Sequence, residues 1–157
     1  MPPAGDFAIR DARAGESTSL TELMLRSKAY WGYDDAFMAA CRDVLFVSEE
    51  MIAAGQVFVA EYRDGVVGVA AVVDTPPDVE LDACFVDPTA IGTGVGRLLV
   101  DTAKARARHA GARTMRVVSD PNAATFYARL GAQPAGEVPS DIAGARPLPL
   151  LRFDLTR

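Results

Sequence analysis

The sequence predicts a single mixed α/β domain in which helices flank a sheet, and three observations predict it. The chain has 157 residues, half of them apolar and 24% charged, which suits one compact domain over residues 1–157 rather than two. Apolar residues recur with helical and strand periods in the order strand, two helices, three strands, helix, strand, helix, strand, an order that layers helices on a sheet. The three consecutive strands are joined by short turns, which makes them an antiparallel meander. A domain of this size buries roughly two-thirds of its unfolded surface, so packing alone can hold it.

Phe7 to Arg10 alternates as a short strand, and Gly15-Glu16-Ser17 then opens a helix with Leu20, Leu23, Met24 and Ser27 on one face. A second helix starts at Asp34 or Asp35 and carries Phe37, Met38, Cys41, Val44 and Leu45; Ser48-Glu49-Glu50 caps a further short turn. Val57 to Tyr62, the turn Arg63-Asp64-Gly65 and Val66 to Val73 read as a hairpin, and Val79 to Val86 follows Pro76-Pro77 as the third meander strand. A helix beginning with Leu98, Leu99 and Thr102 ends at Gly111. Thr114 to Val118 is a strand, Asn122 to Leu130 a helix stopped at Gly131, and Leu148 to Leu155 the last strand. Residues 134–149 hold four of the ten prolines and two glycines and are expected to form a loop.

No run of about 18 apolar residues occurs, and Met-Pro-Pro-Ala-Gly-Asp lacks the basic start and apolar stretch of a signal peptide. A cytoplasmic protein without membrane contact is expected. Cys41 and Cys84 are far apart and distant from the only histidine, His109, so no metal site is expected and both thiols read as small core residues. His109 reads as a solvated residue near a helix end, with no catalytic role. Net charge is −5, which argues against general nucleic-acid binding. The charge is segregated: six basic against sixteen acidic residues up to position 90, ten against five after it, and fourteen of the sixteen cations are Arg. An anionic ligand for the second half and a cationic one for the first fit this split; chance segregation of surface charge fits it equally.

Gly92-Thr93-Gly94-Val95-Gly96, followed by Arg97, stands between an apolar strand and a helix. Unpaired amides and the positive end of the helix dipole meet there, and glycine lets a phosphate approach the main chain. A tight strand-to-helix turn is the structural alternative. A dinucleotide-binding fold would need glycine where Arg97 stands and a parallel βαβ array where the meander lies, although Asp120 falls near the distance expected of its ribose-binding acid.

Three segments together carry a family resemblance: Glu80-Leu81-Asp82-Ala83-Cys84-Phe85-Val86-Asp87-Pro88, the loop from Ile91 to Leu99, and Asp120-Pro121-Asn122-Ala123-Ala124-Thr125-Phe126-Tyr127-Ala128-Arg129-Leu130-Gly131-Ala132. In order and spacing they resemble the GNAT superfamily of acetyl-CoA-dependent N-acetyltransferases, across nearly the whole chain. The resemblance implies a GNAT-like, mostly antiparallel sheet that splays where the third meander strand and the strand at Thr114 diverge. It implies acetyl-CoA as cosubstrate, with pyrophosphate on Gly92, Thr93, Gly94, Val95, Gly96 and Arg97, and pantetheine beside Phe85 and Val86 reaching Asn122. The chain departs from the family at Ile91, where Arg or Gln is usual.

Acetyl transfer to an amine needs a base for the ammonium, a donor that polarises the thioester carbonyl, and an acid for the departing thiolate. The resemblance gives Tyr127 as the acid; without it, Phe126-Tyr127 reads as core. The backbone N–H near Val86 is the candidate carbonyl donor. Glu80 and Asp82 share one face of their strand by alternation and are candidates for the base, or else two exposed carboxylates. A strand bulge, frequent in the family here, would re-aim one of them. Trp31 and Tyr33, between the first two helices, are candidates for an aromatic wall against a cationic amine, or a plug between the helices. The expected partner is a small-molecule amine. Leu148 to Leu151 is either a homodimer contact or an internal edge strand. A module that binds acetyl-CoA without catalysis is the rival reading, motivated by Ile91 and the unsettled base.

Overall fold

The computed structural model describes residues 6–63 and 65–156. The N-terminal Met-Pro-Pro-Ala-Gly segment and Asp64 of the expected hairpin turn lie outside the described residues. The elements run β1 (Phe7–Asp11), α1 (Ser17–Ala29), α2 (Asp35–Val44), α3 (Glu49–Ala53), β2 (Val57–Tyr62), β3 (Gly65–Thr75), β4 (Asp78–Val86), a 3-10 turn (Pro88–Ala90), α4 (Val95–His109), β5 (Thr114–Val118), α5 (Ala124–Arg129), β6 (Gln133–Val138) and β7 (Leu148–Asp154). Seven strands form one sheet in the order β1-β2-β3-β4-β5-β7-β6. Its recorded pairings are antiparallel except β4 with β5, which is parallel.

The chain divides into two compact units. The first takes in the described residues up to Ala71 together with Ala83–Asp101. Its core gathers Leu20, Leu23 and Met24 of α1, Val47, Ile52, Val57, Val59, Val69, Ala71 and Ala83. Helix starts follow capping chemistry: Asp34 accepts the Phe37 amide and Ser48 accepts the Met51 amide, as the sequence predicts. Helix α1 lacks a cap of its own, and Glu49 from α3 accepts the amides of Gly15 and Ser17 instead. Only Cys41 of α2 is buried; Val44 is 39% exposed, so its outer apolar positions are not core as the periodicity implied.

Arg10 of β1 grips Glu16 through two nitrogens, each at 2.9 Å, and its Nε lies 3.0 Å from Glu61. The hydrogen bonds from Arg10, assisted by the Arg13 amide, hold the Glu16 carboxyl down at about 2. A carboxylate depressed on folding stabilises the fold above its unfolded value of 4.5 and loses that contribution as pH falls toward 2. Glu16→Gln is expected to cost about 1 kcal/mol at pH 7, because the pair is partly solvated. In urea titrations the gap to wild type should shrink steadily below pH 4.5; a gap independent of pH would dismiss the ion pair as its source.

Between β2 and β3 the register slips, Ala60 pairing with Gly68 and Glu61 with Val66, so Val67 is the extra residue of a bulge. Its carbonyl accepts the amide of Asp87, at the end of β4. A Cβ on the neighbouring Gly68 would come within 2.9 Å of Val95 Cγ1 and Leu99 Cδ1 of α4. Gly68→Val is therefore expected to destabilise the protein by about 3 kcal/mol, read as a lower urea midpoint, with Gly68→Ala costing less; equal midpoints would mean that α4 yields freely.

The second unit comprises Val72–Asp82 and the chain from Thr102 onward. Met115 and Val117 of β5 and Leu151 and Phe153 of β7 are buried on one face, where Lys104 Nζ stands 5.1 Å from the centre of the Phe153 ring. Strand β6 lies inside the segment expected to be a loop. Pro134 and a bulge between Pro134 and Gly136 conceal its strand pattern, and it forms the sheet's edge, the position where such residues are tolerated. Strand β7 pairs with β5 over residues 150–154 and with β6 over 148–152, so Leu150 and Leu151 lie inside the sheet and not on its edge. Helix α5 starts at Ala124, two residues later than the expected Asn122. His109 is the last residue of α4 and is exposed. Neither cysteine is in a disulfide, and Cys41 is buried.

Candidate active site

In the first unit, Asp87 ends β4 and fixes the chain that follows. Its carboxylate accepts the Thr89 amide and hydroxyl and pairs with Arg26 of α1 at 2.9 Å, contacts that hold it below the usual carboxylate range against the opposing effect of burial. Ala90 donates its amide to the Asp87 carbonyl, and the buried Thr93 hydroxyl donates to the Ala90 carbonyl. The turn so formed delivers Gly92 and Gly94 with φ of 81° and 91°, a backbone that L side chains rarely adopt.

Helix α4 starts immediately after. Leu98 donates to the carbonyl of Gly94, which makes Gly94 the cap residue. Among the described residues no acceptor is recorded for the amides of Gly92 to Arg97. They lie at the positive end of a 15-residue helix, with Gly92, Gly94 and Arg97 exposed. Such an array is an anion cradle built from main chain. Ile91 is 41% exposed beside it and contributes no charge. Phe85 and Val86, at the end of β4, are half-buried.

Toward the start of β4, in the second unit, burial alternates from Asp78 to Ala83, with Val79, Leu81 and Ala83 inward. The alternation is unbroken here, so Glu80 and Asp82 do share the opposite face. Their environments differ. Arg116 of β5 lies 3.0 Å from Glu80, whereas Asp82 has no recorded hydrogen bond or ion pair among the described residues. Burial raises the Glu80 carboxyl, with Arg116 pulling it back and Asp82 pushing it further; burial alone raises Asp82.

Tyr127 in α5 is 5% exposed and packs edge-on against Phe126 and Phe153, at 5.1 and 6.5 Å between ring centres. Asn122, before α5, is exposed, and its main-chain and side-chain nitrogens both donate to Asp120. In the first unit, Tyr33 stacks on Phe37 at 4.3 Å with Lys28 Nζ over both rings, while Trp31 is 48% exposed and meets Tyr30 edge-on. The two aromatics expected to form one wall thus have separate partners, and Tyr33 already faces the chain's own cation. Among the described residues no cluster of His, Cys, Asp and Glu suits a metal ion, and no helix is long and apolar enough to cross a membrane.

Residues 53–131 match the model of the acetyltransferase (GNAT) domain. The chain belongs to the GNAT acetyltransferase family. No curated protein matches it by sequence. Its fold is similar to that of a GCN5-related N-acetyltransferase from Rhodopseudomonas palustris, with a TM-score of 0.77, 23% identity and 94% of each chain covered. The PaiA N-acetyltransferase of Thermoplasma acidophilum, solved with coenzyme A, gives 0.77 at 13% identity over 94% of this chain and 98% of its own. The yncA protein of Salmonella typhimurium, solved with its cofactor acetyl-CoA, gives 0.68 at 23% identity over 97% and 95%. These likenesses establish the GNAT fold, and the family establishes an acetyltransferase.

Two groups in this GNAT chain escaped the sequence reading. The Asp87-Pro88-Thr89 turn carries a readable cap signal, but its Arg26 partner lies far back on α1. Arg116 becomes meaningful only through the parallel register that sets it beside Glu80.

Proposed function

We propose that this chain acts as one N-acetyltransferase domain over residues 1–157, moving an acetyl group from acetyl-CoA directly to a primary amine of a small molecule or peptide. The observation that carries the reading is the row of acceptor-free amides from Gly92 to Arg97 at the start of α4 in a GNAT chain. Those amides and the Arg97 side chain fit a pyrophosphate, which needs several donors and no counter-carboxylate. Phe85 and Val86 offer strand backbone to the pantetheine, and Asn122 an amide farther along it. When bound, acetyl-CoA supplies an activated thioester.

The chain's own groups do the rest. The backbone N–H at Val86 polarises the thioester carbonyl. A carboxylate on β4, Glu80 or Asp82, takes the ammonium proton, since only the neutral amine is nucleophilic. Tyr127 returns a proton to the departing thiolate. Trp31 and Tyr33 border the amine. The reading calls for no metal, membrane or nucleic acid and places the reaction in the cytoplasm.

Calorimetric titration with acetyl-CoA, with NADH as competitor, tests the cofactor, and a panel of primary amines followed by thiol release tests transfer. Saturable acetyl-CoA binding with thiol release on amine addition is the expected result. Binding without release from any amine supports a sensor, the reading that Ile91 favours; no binding by the folded protein withdraws both.

A further inference from the structure

We propose that Arg116 is a positioning residue that divides the two carboxylates of β4, pairing with Glu80 as its counter-charge and leaving Asp82 to take the proton from the amine. The proposal rests on the acetyl-transfer reading and names which of the two candidate groups is the base.

The division follows from where strand pairing stops. Glu80 pairs with Arg116 across the parallel β4–β5 ladder, and Arg116 pairs with Arg152 of β7 on its other side, so one row of side chains crosses three strands. Arg116 stands between an anion and a cation and turns to the anion, its Nε 3.0 Å from Glu80 with both residues half-buried. One step back, Asp78 accepts the Thr114 hydroxyl. One step forward, Asp82 lies past the last recorded β4–β5 pair. Of three carboxylates on one strand face, two are held from β5 and the third is not.

Among the described residues, the remaining charges named here do not supply Asp82 with a partner. Arg152 is exposed and one strand farther from β4 than Arg116. Asp74 is the only charged residue of β3, and Asp154, opposite Thr114, is an anion bonded to Thr156. The α4 cations Lys104 and Arg108 are engaged by the Phe153 ring and the Leu155 carbonyl.

A guanidinium beside a carboxylate stabilises its charged form; burial raises Glu80, and Arg116 opposes that rise. A carboxylate raised by burial without a cation accepts a proton more readily. The step is an acid–base exchange: the ammonium N–H bond breaks, its electron pair stays on nitrogen, and the proton forms the O–H bond of Asp82. Asp82 keeps contact with solvent, through which that proton returns to water. Without Arg116, two neighbouring carboxylates would share one proton and titrate as a coupled pair.

Carbon-13 carboxyl NMR titration of the ligand-free protein reads this division without any substrate. Arg116→Met is expected to raise the Glu80 midpoint by at least about one pH unit and to spread the Asp82 curve over two steps, while Arg116→Lys stays within about half a unit of wild type because the charge remains. A Glu80 midpoint unmoved by Arg116→Met overturns the proposal. Kinetics with an amine that turns over give a second readout: about a hundredfold loss of kcat/KM in Asp82→Asn, less than about fivefold in Glu80→Gln, and an acid limb shifted upward in Arg116→Met with acetyl-CoA affinity unchanged. Equal losses in the two carboxylate variants, or a larger one in Glu80→Gln, overturn it as well. Failure of every amine with wild type sinks the acetyl-transfer reading, and with it the assigned base, while the NMR titrations still decide whether Arg116 separates the carboxylates.

Discussion

Gly94→Asp is expected to lower acetyl-CoA affinity at least about a hundredfold, a change of about 2.7 kcal/mol in binding free energy. Gly94 is the cap of α4 and holds φ at 91°. Aspartate there sets a negative charge among the amides proposed to receive the pyrophosphate, and its own carboxylate competes for them. The same substitution is mild for the fold. Aspartate tolerates positive φ better than most residues and is a favoured helix cap, so the strain of about 1 to 3 kcal/mol is partly offset. Gly94→Ala adds strain without charge and should cost about tenfold in affinity. Calorimetry on the two variants separates the effects, and unaltered affinity in folded Gly94→Asp would remove the loop from the cofactor site.

Tyr127→Phe is expected to lower kcat by about a hundredfold or more while leaving acetyl-CoA affinity unchanged. The proposed acid acts only as the thiolate leaves, so losing the phenol raises the barrier without disturbing binding. The ring is 5% exposed and packs on Phe126 and Phe153; phenylalanine keeps those contacts, and stability should fall by no more than about 1 kcal/mol. Comparing kcat, calorimetric affinity and thermal midpoint distinguishes acid from scaffold. Unchanged turnover across pH would leave Tyr127 as a core aromatic alone.

What the sequence reveals about this protein follows the range of each signal. Caps such as Asp34 and Ser48 act within three residues, the meander shows as apolar runs set apart by turn residues, and the glycines announce the turn into α4. Strand β6 is hidden because Pro134 and Gly136 are turn residues anywhere but on a sheet edge, and edge position is a property of the assembled sheet. Val44 breaks the buried pattern of α2 because periodicity finds the apolar stripe without saying how wide the surface beneath it is. Within the site, Glu80 and Asp82 look alike on one strand; the difference between them resides in Arg116, on a strand whose parallel register no local pattern encodes. The anchoring of Asp87 by Arg26 is equally non-local.

The anion cradle at the start of α4 is made of main-chain amides, with Gly92 and Gly94 supplying its curvature. Amides are common to every residue except proline. Ile91, whose side chain is exposed, is free to drift with that main-chain surface intact. The mutational target of the cradle thus narrows to its positive-φ glycines and to substitutions by proline, which gives the site a robustness that one built from charged side chains does not have. Over long divergence, the side chains around such a cradle can be rewritten while its main-chain donors stay in place.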